Sequence, residues 1–331
     1  MADDGSRKRQ RLETGAATDA SLEIQRDEEF WFRDGSIVLI ARNIAFRVYQ
    51  GLIAEQSDIF RDLFAVPQPM NPDMMDDCPA VHLSDSPEDL RHLLRVLLPS
   101  QNRYFLKPLK GESIDFAEVS AIIRLAHKYG IQDVQDQALS YLKISFTDKF
   151  SDHIDDHHEG PVAFELNDVR AIAVVNLARL VGADSMLPVA LYRCSQLGSE
   201  IIHGFSREDG TREQLTADDL GRCINGKMAL VRASVMAAFR ILLAPLSAEA
   251  CMDGHCGRKD LAHVLDDLAQ DDDLITYRVL TPWLPECDMF CKNCHDTLLS
   301  RDLKERRNIW LQLPSFMGVA VEGWGGAGRA N

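Results

Sequence analysis

The stretch Asn43 to Phe64, NIAFRVYQGLIAEQSDIFRDLF, constrains the fold more than any other part of the chain. It opens with period-two alternation. Ile44, Phe46 and Val48 point one way and Asn43, Ala45 and Arg47 the other, as in a half-buried strand. At Tyr49 the period changes. Tyr49, Leu52 and Ile53 share one helical face, and after a break Phe60, Leu63 and Phe64 form another. Ser57 stands between the two, its hydroxyl placed to accept a backbone N–H where a second short helix begins. A strand feeding two short apolar helices is a compact packing unit with no evident chemistry of its own.

The flanks extend the pattern. Phe30, Trp31 and Phe32 precede Asp34-Gly35, and the apolar run Ile37 to Ala41 predicts a buried strand bounded by turn residues. Ala41-Arg42-Asn43 turns this strand into a hairpin with Ile44 to Val48. Downstream, Pro67, Pro69, Pro72 and Pro79 mark a loop carrying Met70, Met74 and Met75, read as a surface excursion. Val81-His82-Leu83 predicts a short strand. Ser84 to Leu98 follows as a helix, with Pro87 in its first turn and Leu90, Leu93, Leu94 and Leu97 on the buried face. After a basic, aromatic-containing loop at Pro99 to Gly111, helical spacing returns at Phe116, Val119, Ile122, Ile123, Ala126 and Tyr129, closed by Gly130. Val134, Ala138, Tyr141 and Leu142 predict a further helix. His127 lies beside the apolar face and is expected in the core or at its rim rather than in catalysis.

Phe46-Arg47-Val48, Leu52-Ile53-Ala54 and Ser57 with Phe60-Arg61-Asp62-Leu63-Phe64 resemble the core signature of the BTB/POZ domain, in wording closest to its fungal branch. Tyr49 stands where most BTB domains have a histidine. The text IRLAHKYGIQDVQDQALSYL is similar to the closing helix pair of fungal BTB domains, and weaker likeness continues in Leu187 to Tyr192 and in Arg306 to Phe316. The resemblance implies an α/β (α+β) BTB/POZ domain at 29–148 followed by an all-α C-terminal domain. It implies protein–protein recognition rather than catalysis, with homodimers formed through the first helix, Tyr49 to Gln56, and an exchanged N-terminal element. On this chain those contacts fall on Phe30, Trp31, Phe32, Tyr49, Leu52, Ile53 and Gln56. Some members of the family also bind the scaffold of cullin-type ubiquitin ligases, so an adaptor role is among the expectations.

At 331 residues the chain has room for two domains, which commonly run to ~100–200 residues each. Residues 1–28 are polar and small and are expected to form a disordered basic arm. Arg7-Lys8-Arg9 and Arg11 within it are a candidate import signal or anionic-partner patch. Residues 149–162, including SDHIDDHHEG, are read as an acidic, His-rich linker, since no apolar shell surrounds those histidines to fix a ligand geometry. The segment 163–318 reads as helical. Asn167 is placed to cap a helix ending at Gly182, a second begins at Leu187, and Thr216 opens a third. Met228 to Leu243 is apolar nearly all round and is expected to be a central buried helix. Leu303 to Leu311 predicts a last helix stopped by Pro314, and 319–331 a flexible Gly-rich tail.

Charge and composition narrow the function classes. A net charge of −15 argues against nucleic-acid binding, which draws its affinity from clustered Lys and Arg. No apolar run approaches the ~20 residues of a membrane span. MADDGSRKRQRLE has no apolar core of a signal peptide, so the protein is expected in the nucleus and/or cytoplasm, with its eight cysteines reduced.

The cysteines of the second half are the main chemical signal. Cys251-x4-Cys256 and Cys287-x3-Cys291-x2-Cys294 flank a helical stretch, with His255 and His295 adjacent. Zinc takes four thiolate or imidazole ligands in a tetrahedron, and two short-spaced pairs across a longer insert can supply them. Cys251, Cys256, Cys291 and Cys294 are the candidate ligands of a structural zinc, with Cys287 and His255 as alternates. The competing reading is a set of buried thiols. Cys194 and Cys223 stand alone as core candidates. Gly323-Trp324-Gly325-Gly326-Ala327-Gly328 spells Gly-x-Gly-x-x-Gly but lacks the following helix that a dinucleotide site uses, so the match is read as accidental. No P-loop, His-Glu-x-x-His or Gly-x-Ser-x-Gly is present. Two other functions stay open: a nuclear transcriptional or chromatin regulator, for which the basic arm argues, and a zinc-dependent enzyme.

Overall fold

The computed structural model describes residues 23–66, 73–98, 115–151, 168–244, 246, 251–252, 256, 280 and 290–326. Strands Gln25–Trp31 (β1), Ile37–Ala41 (β2), Ile44–Val48 (β3), Met74–Met75 (β4) and Cys78–Leu83 (β5) form one curled sheet in the order β1-β3-β2-β5-β4. β2 and β3 are the expected hairpin, antiparallel from Ile37 opposite Val48 to Ala41 opposite Ile44, and Arg42 turns the chain with φ 52°. β1 lies parallel to β3 and β5 parallel to β2. Every residue of β2, the central strand, is buried. Ile37, Leu39 and Ala41 face the main core, while Val38 and Ile40 meet Ala45, Cys78 and Ala80.

Two expectations are corrected here. The arm proposed for 1–28 gives way to β1 at Gln25. Asp27 in that acidic run is buried, accepts N–H bonds from Glu29 and Phe30, and pairs with Arg91 at 2.7 Å, so it is neutralised rather than solvated. The cluster Arg7 to Arg11 lies outside the described residues. The Met-bearing loop also contains a strand: β4 pairs with β5 through a tight turn in which Asp76 and Asp77 take positive φ.

The helices follow the local signals closely. Gln50–Gln56 (α1) and Asp58–Ala65 (α2) meet at Ser57, whose Oγ accepts from Phe60 N at 3.1 Å and donates to the Tyr129 carbonyl at 2.6 Å. Pro87–Leu97 (α3) is capped by Ser86 and buries Leu90, Leu93, Leu94 and Leu97. Phe116–Lys128 (α4) and Gln132–Ser145 (α5) join at Gly130, with φ 66°. His127 is exposed rather than in the core, and its ring lies 3.2 Å from the Gln135 amide oxygen.

The second half adds Ala171–Val181 (α6), Leu187–Gln196 (α7), Ala217–Leu243 (α8) and Lys292–Phe316 (α9). α6 ends at Gly182 in the left-handed conformation, and Thr216 caps α8 by accepting from Asp219 N. Asn167 and residues 152–166 lie outside the described residues. α6 packs on α4, and α7 lies between α6 and α8. One apolar cluster runs from Phe30 through to Trp324, so the two halves share continuous packing.

The second half is not wholly helical. Phe205–Ser206 (β6) and Arg212–Glu213 (β7) form a small hairpin against α3 and α4. Arg207 pairs with Asp89 of α3, Arg124 of α4 pairs with Glu213, and Arg42 reaches Asp209 at 3.0 Å. Pro314 does not stop the last helix, which runs on to Phe316, and the Gly-rich tail packs at least as far as Trp324. Proline near a helix end loses only one backbone donor, and here that loss is compensated by a tail residue. The expected central helix, Met228 to Leu243, is buried on one face only.

Candidate metal centre and candidate interaction face

The C-terminal end of α8 and the first turn of α9 come together because Arg301 of α9 donates to the carbonyls of Ile241 at 3.1 Å and Ala244 at 2.9 Å. Those carbonyls are the ones a helix terminus leaves without partners. Beside this junction Cys291 precedes α9 as its N-cap and Cys294 sits in the first turn. Cys251 and Cys256 approach from the other side. The four sulfurs lie within 4.8 Å of one another, with Cys256, Cys291 and Cys294 buried and Cys251 half-buried. Ile241, Phe290 and Leu298 wall them in as a small second core.

The environment favours thiolate at Cys291 and opposes it at Cys256 and Cys294. The Cys291 N–H donates to Cys256 Sγ at 3.2 Å, and the positive end of the α9 dipole faces the group. The Cys291 thiol is brought down to about 6, first by the backbone N–H of Cys294 and then by that of Met252. Cys294 moves the other way, up to about 12, through burial and then the neighbouring thiols. Four thiols this close cannot all ionise beside one another unless a cation shares the site. A tetrahedral zinc with Zn–S near 2.3 Å sets sulfurs about 3.8 Å apart, within reach of the spacing here after small side-chain rotations. The four side chains could therefore hold a metal ion. These are the four ligands singled out by spacing. The alternates Cys287 and His255 lie outside the described residues, and His295 is not in the group. Cys194 and Cys223 are fully buried in the main core.

The residues expected at a dimer contact divide three ways. Phe30 and Ile53 are core residues with no surface to offer, because each occupies the inward phase of its element; for them the expectation is corrected. Trp31, one residue out of phase with Phe30 and Phe32, packs on the opposite side of the sheet beneath the Arg26 guanidinium. Phe32, Tyr49, Leu52 and Gln56 remain around α1. Phe32 and Tyr49 rings lie 5.0 Å apart, Tyr49 donates to Asp34 at 2.7 Å, and Leu52 is 37% exposed. Gln56 donates its amide to the Leu97 carbonyl at 2.7 Å, tying α1 to α3.

Sequence reasoning missed the ion pairs that join the halves and the exposed outer face of α8. Asp89 and Arg207 are 118 positions apart, and no local pattern links them. Among the described residues no helix is long and apolar enough to cross a membrane. In comparisons with known proteins, no family model matches the chain and no curated protein matches it.

Proposed function

We propose that the chain is a non-enzymatic protein–protein interaction module of the BTB/POZ type, homodimerising through the α1 face, with a structural zinc in its C-terminal part. One observation carries the reading. The hairpin β2–β3 runs directly into α1 and α2, β5 returns parallel beside β2, and α3 to α5 follow, in the order the resemblance at Phe46 to Phe64 implies. That arrangement leaves Leu52 on the outer side of α1, flanked by Phe32, Tyr49 and Gln56. Burying Leu52 together with the half-buried rings of Phe32 and Tyr49 between two copies is the contribution such a face would make to a symmetric dimer.

The cysteine group supports the non-catalytic half of the proposal. Four thiolates fill a tetrahedral ion from the protein side, whereas a catalytic zinc keeps one position for water. The ion would hold the α8–α9 junction closed, a role of the zinc in stability rather than in turnover.

Light scattering on the full chain and on Leu52→Glu tests the interface, and elemental analysis of the same samples tests the metal. The expected results are a lower association state for L52E with an unchanged melting temperature, and one zinc per chain. An unchanged mass for L52E removes the α1 dimer, and zinc near zero removes the metal. Direct binding of a purified cullin N-terminal region would extend the reading to a ubiquitin-ligase adaptor.

A further inference from the structure

Among the described residues, α8 is apolar on the side that packs inward and carries a second run of apolar side chains on the side left exposed. Cys223, Gly226, Leu230, Ala237 and Ile241 face inward. On the opposite side Ile224, Met228, Val235, Met236, Phe239 and Leu243 are exposed by 58%, 69%, 40%, 44%, 43% and 62%. These six positions follow helical spacing along about 29 Å of the helix, so they form one stripe rather than scattered residues. A single exposed leucine needs no explanation, but a continuous stripe on a 27-residue helix does.

We propose that this stripe is a second self-association surface, on which α8 of one copy packs antiparallel against α8 of another. The spacing of the stripe is the first argument. Ile224 and Leu243 stand equally far from the point between Ala233 and Ser234, and so do Met228 and Phe239. A two-fold axis through that point sets Ile224 of one copy against Leu243 of the other and Met228 against Phe239. A helix that is to meet its own antiparallel copy has this symmetry, because an isologous contact pairs residue i with j and j with i.

Area is the second argument. The six side chains expose about 500 Å² together, so pairing removes at most on the order of 1,000 Å² in total, the size at which a specific interface begins. Charge within the stripe is compatible with this occupant. Arg232 is the one cation inside the stripe, and its position lies opposite Val235 of the other copy, where the aliphatic stem packs and the guanidinium reaches the rim. The net charge of −15 opposes adsorption on an anionic lipid surface and also opposes pairing of two copies, so the choice between them rests on the spacing and area of the stripe.

The proposal does not depend on the α1 dimer. Sedimentation velocity on the full chain, over a concentration series reaching about 0.1 mM, compares wild type with Met228→Lys, Phe239→Glu and the double variant M228K/F239E. Each single variant is expected to weaken this association by about tenfold or more by burying an unpaired charge in the pair. The double variant is expected to regain it, because opposite charges then meet across the axis while lying too far apart within one helix to pair. Both positions are exposed, so melting temperatures should stay level. L52E should leave this association intact, which separates its failure from that of the α1 face. Single variants that associate like wild type would overturn the proposal, as would a double variant as weak as the singles. Phosphatidylserine vesicles that bind wild type but not F239E, with no difference in protein mass, would assign the stripe to a membrane instead.

Discussion

The indole N–H of Trp324 donates to the carbonyl of Trp310 at 2.7 Å, the carbonyl that Pro314, four residues on, has no N–H to occupy. The two rings stack at 4.9 Å, Trp310 is fully buried, and Gly325 continues the contact by donating its N–H to Asp148 at 3.1 Å. The tail thus restores the hydrogen bond that the proline removes from the last turn of α9.

Trp324→Phe keeps a ring in place but leaves the Trp310 carbonyl without its donor. A loss of about 1–3 kcal/mol is expected in urea unfolding. Trp324→Ala also opens a cavity and should cost about 3–5 kcal/mol. Adding Pro314→Ala to W324F returns a backbone N–H, so the double variant should be more stable than W324F alone. Strict additivity of the two changes would refute the compensation.

Asp219 links α6 to the start of α8, its carboxylate accepting from Arg179 at 2.8 Å, from Arg222 at 3.1 Å and from the Thr216 hydroxyl at 3.3 Å. Burial pushes its carboxyl up, but the hydrogen bond and charge of Arg179, with Arg222 and Thr216, hold it below the usual 3.8. A carboxyl depressed in the folded state stabilises above its unfolded pKa, and that contribution is lost as pH falls through the folded value. Asp219→Asn should cost about 1–2 kcal/mol at neutral pH. It should also flatten the loss of stability below about pH 4. Chemical unfolding of both proteins between neutral and acid pH reads out the difference.

Gly204 stands at the base of the β6–β7 hairpin with φ 64°, and a Cβ there would run into the carbonyl oxygen of Glu213. Gly204→Ala combines left-handed strain with a backbone clash. The expected cost is about 2 kcal/mol or more. Because this hairpin brings Arg207 to Asp89 and Glu213 to Arg124, amide exchange should rise in the hairpin before it rises in α3 or α4. Uniform exchange across the three would show that the hairpin does not act as a separate unit.

Cys294→Ser removes one candidate ligand from the buried side of the metal group. If the group holds zinc, metal content should fall and the α8–α9 junction should lose about 3 kcal/mol or more of its support. A chelator should lower the melting temperature of wild type and leave C294S unmoved. Mild acid should act as the chelator does, since protons compete with the ion for thiolate. Equal chelator response in both proteins would remove Cys294 from the ligand set.

Much of the first half was legible because its signals are local. The alternation of Ile44, Phe46 and Val48 set the strand and its buried phase. Ser57, Pro87, Gly130, Gly182 and Thr216 marked helix ends through chemistry confined to three or four neighbouring residues. The Cys291-x2-Cys294 spacing was also local, since one helical turn carries both sulfurs.

What a helix packs against is not written in its own period. The stretch Met228 to Leu243 predicted burial all round, yet α7 and α9 cover one side only, and the number of neighbours is a property of the assembled chain. Asp27 read as a solvated acid until Arg91, 64 positions away, arrived beside it. Trp324 read as part of a loose tail until a proline ten residues earlier left a carbonyl for it to meet. The sequence by itself determined the β2–β3 hairpin, most of the helices and their inward phases, because those depend on short-range sterics and hydrogen bonds. Tertiary structure alone decided which charges were neutralised, which apolar face stayed open and how the four cysteines met, because those depend on distances the folded chain creates.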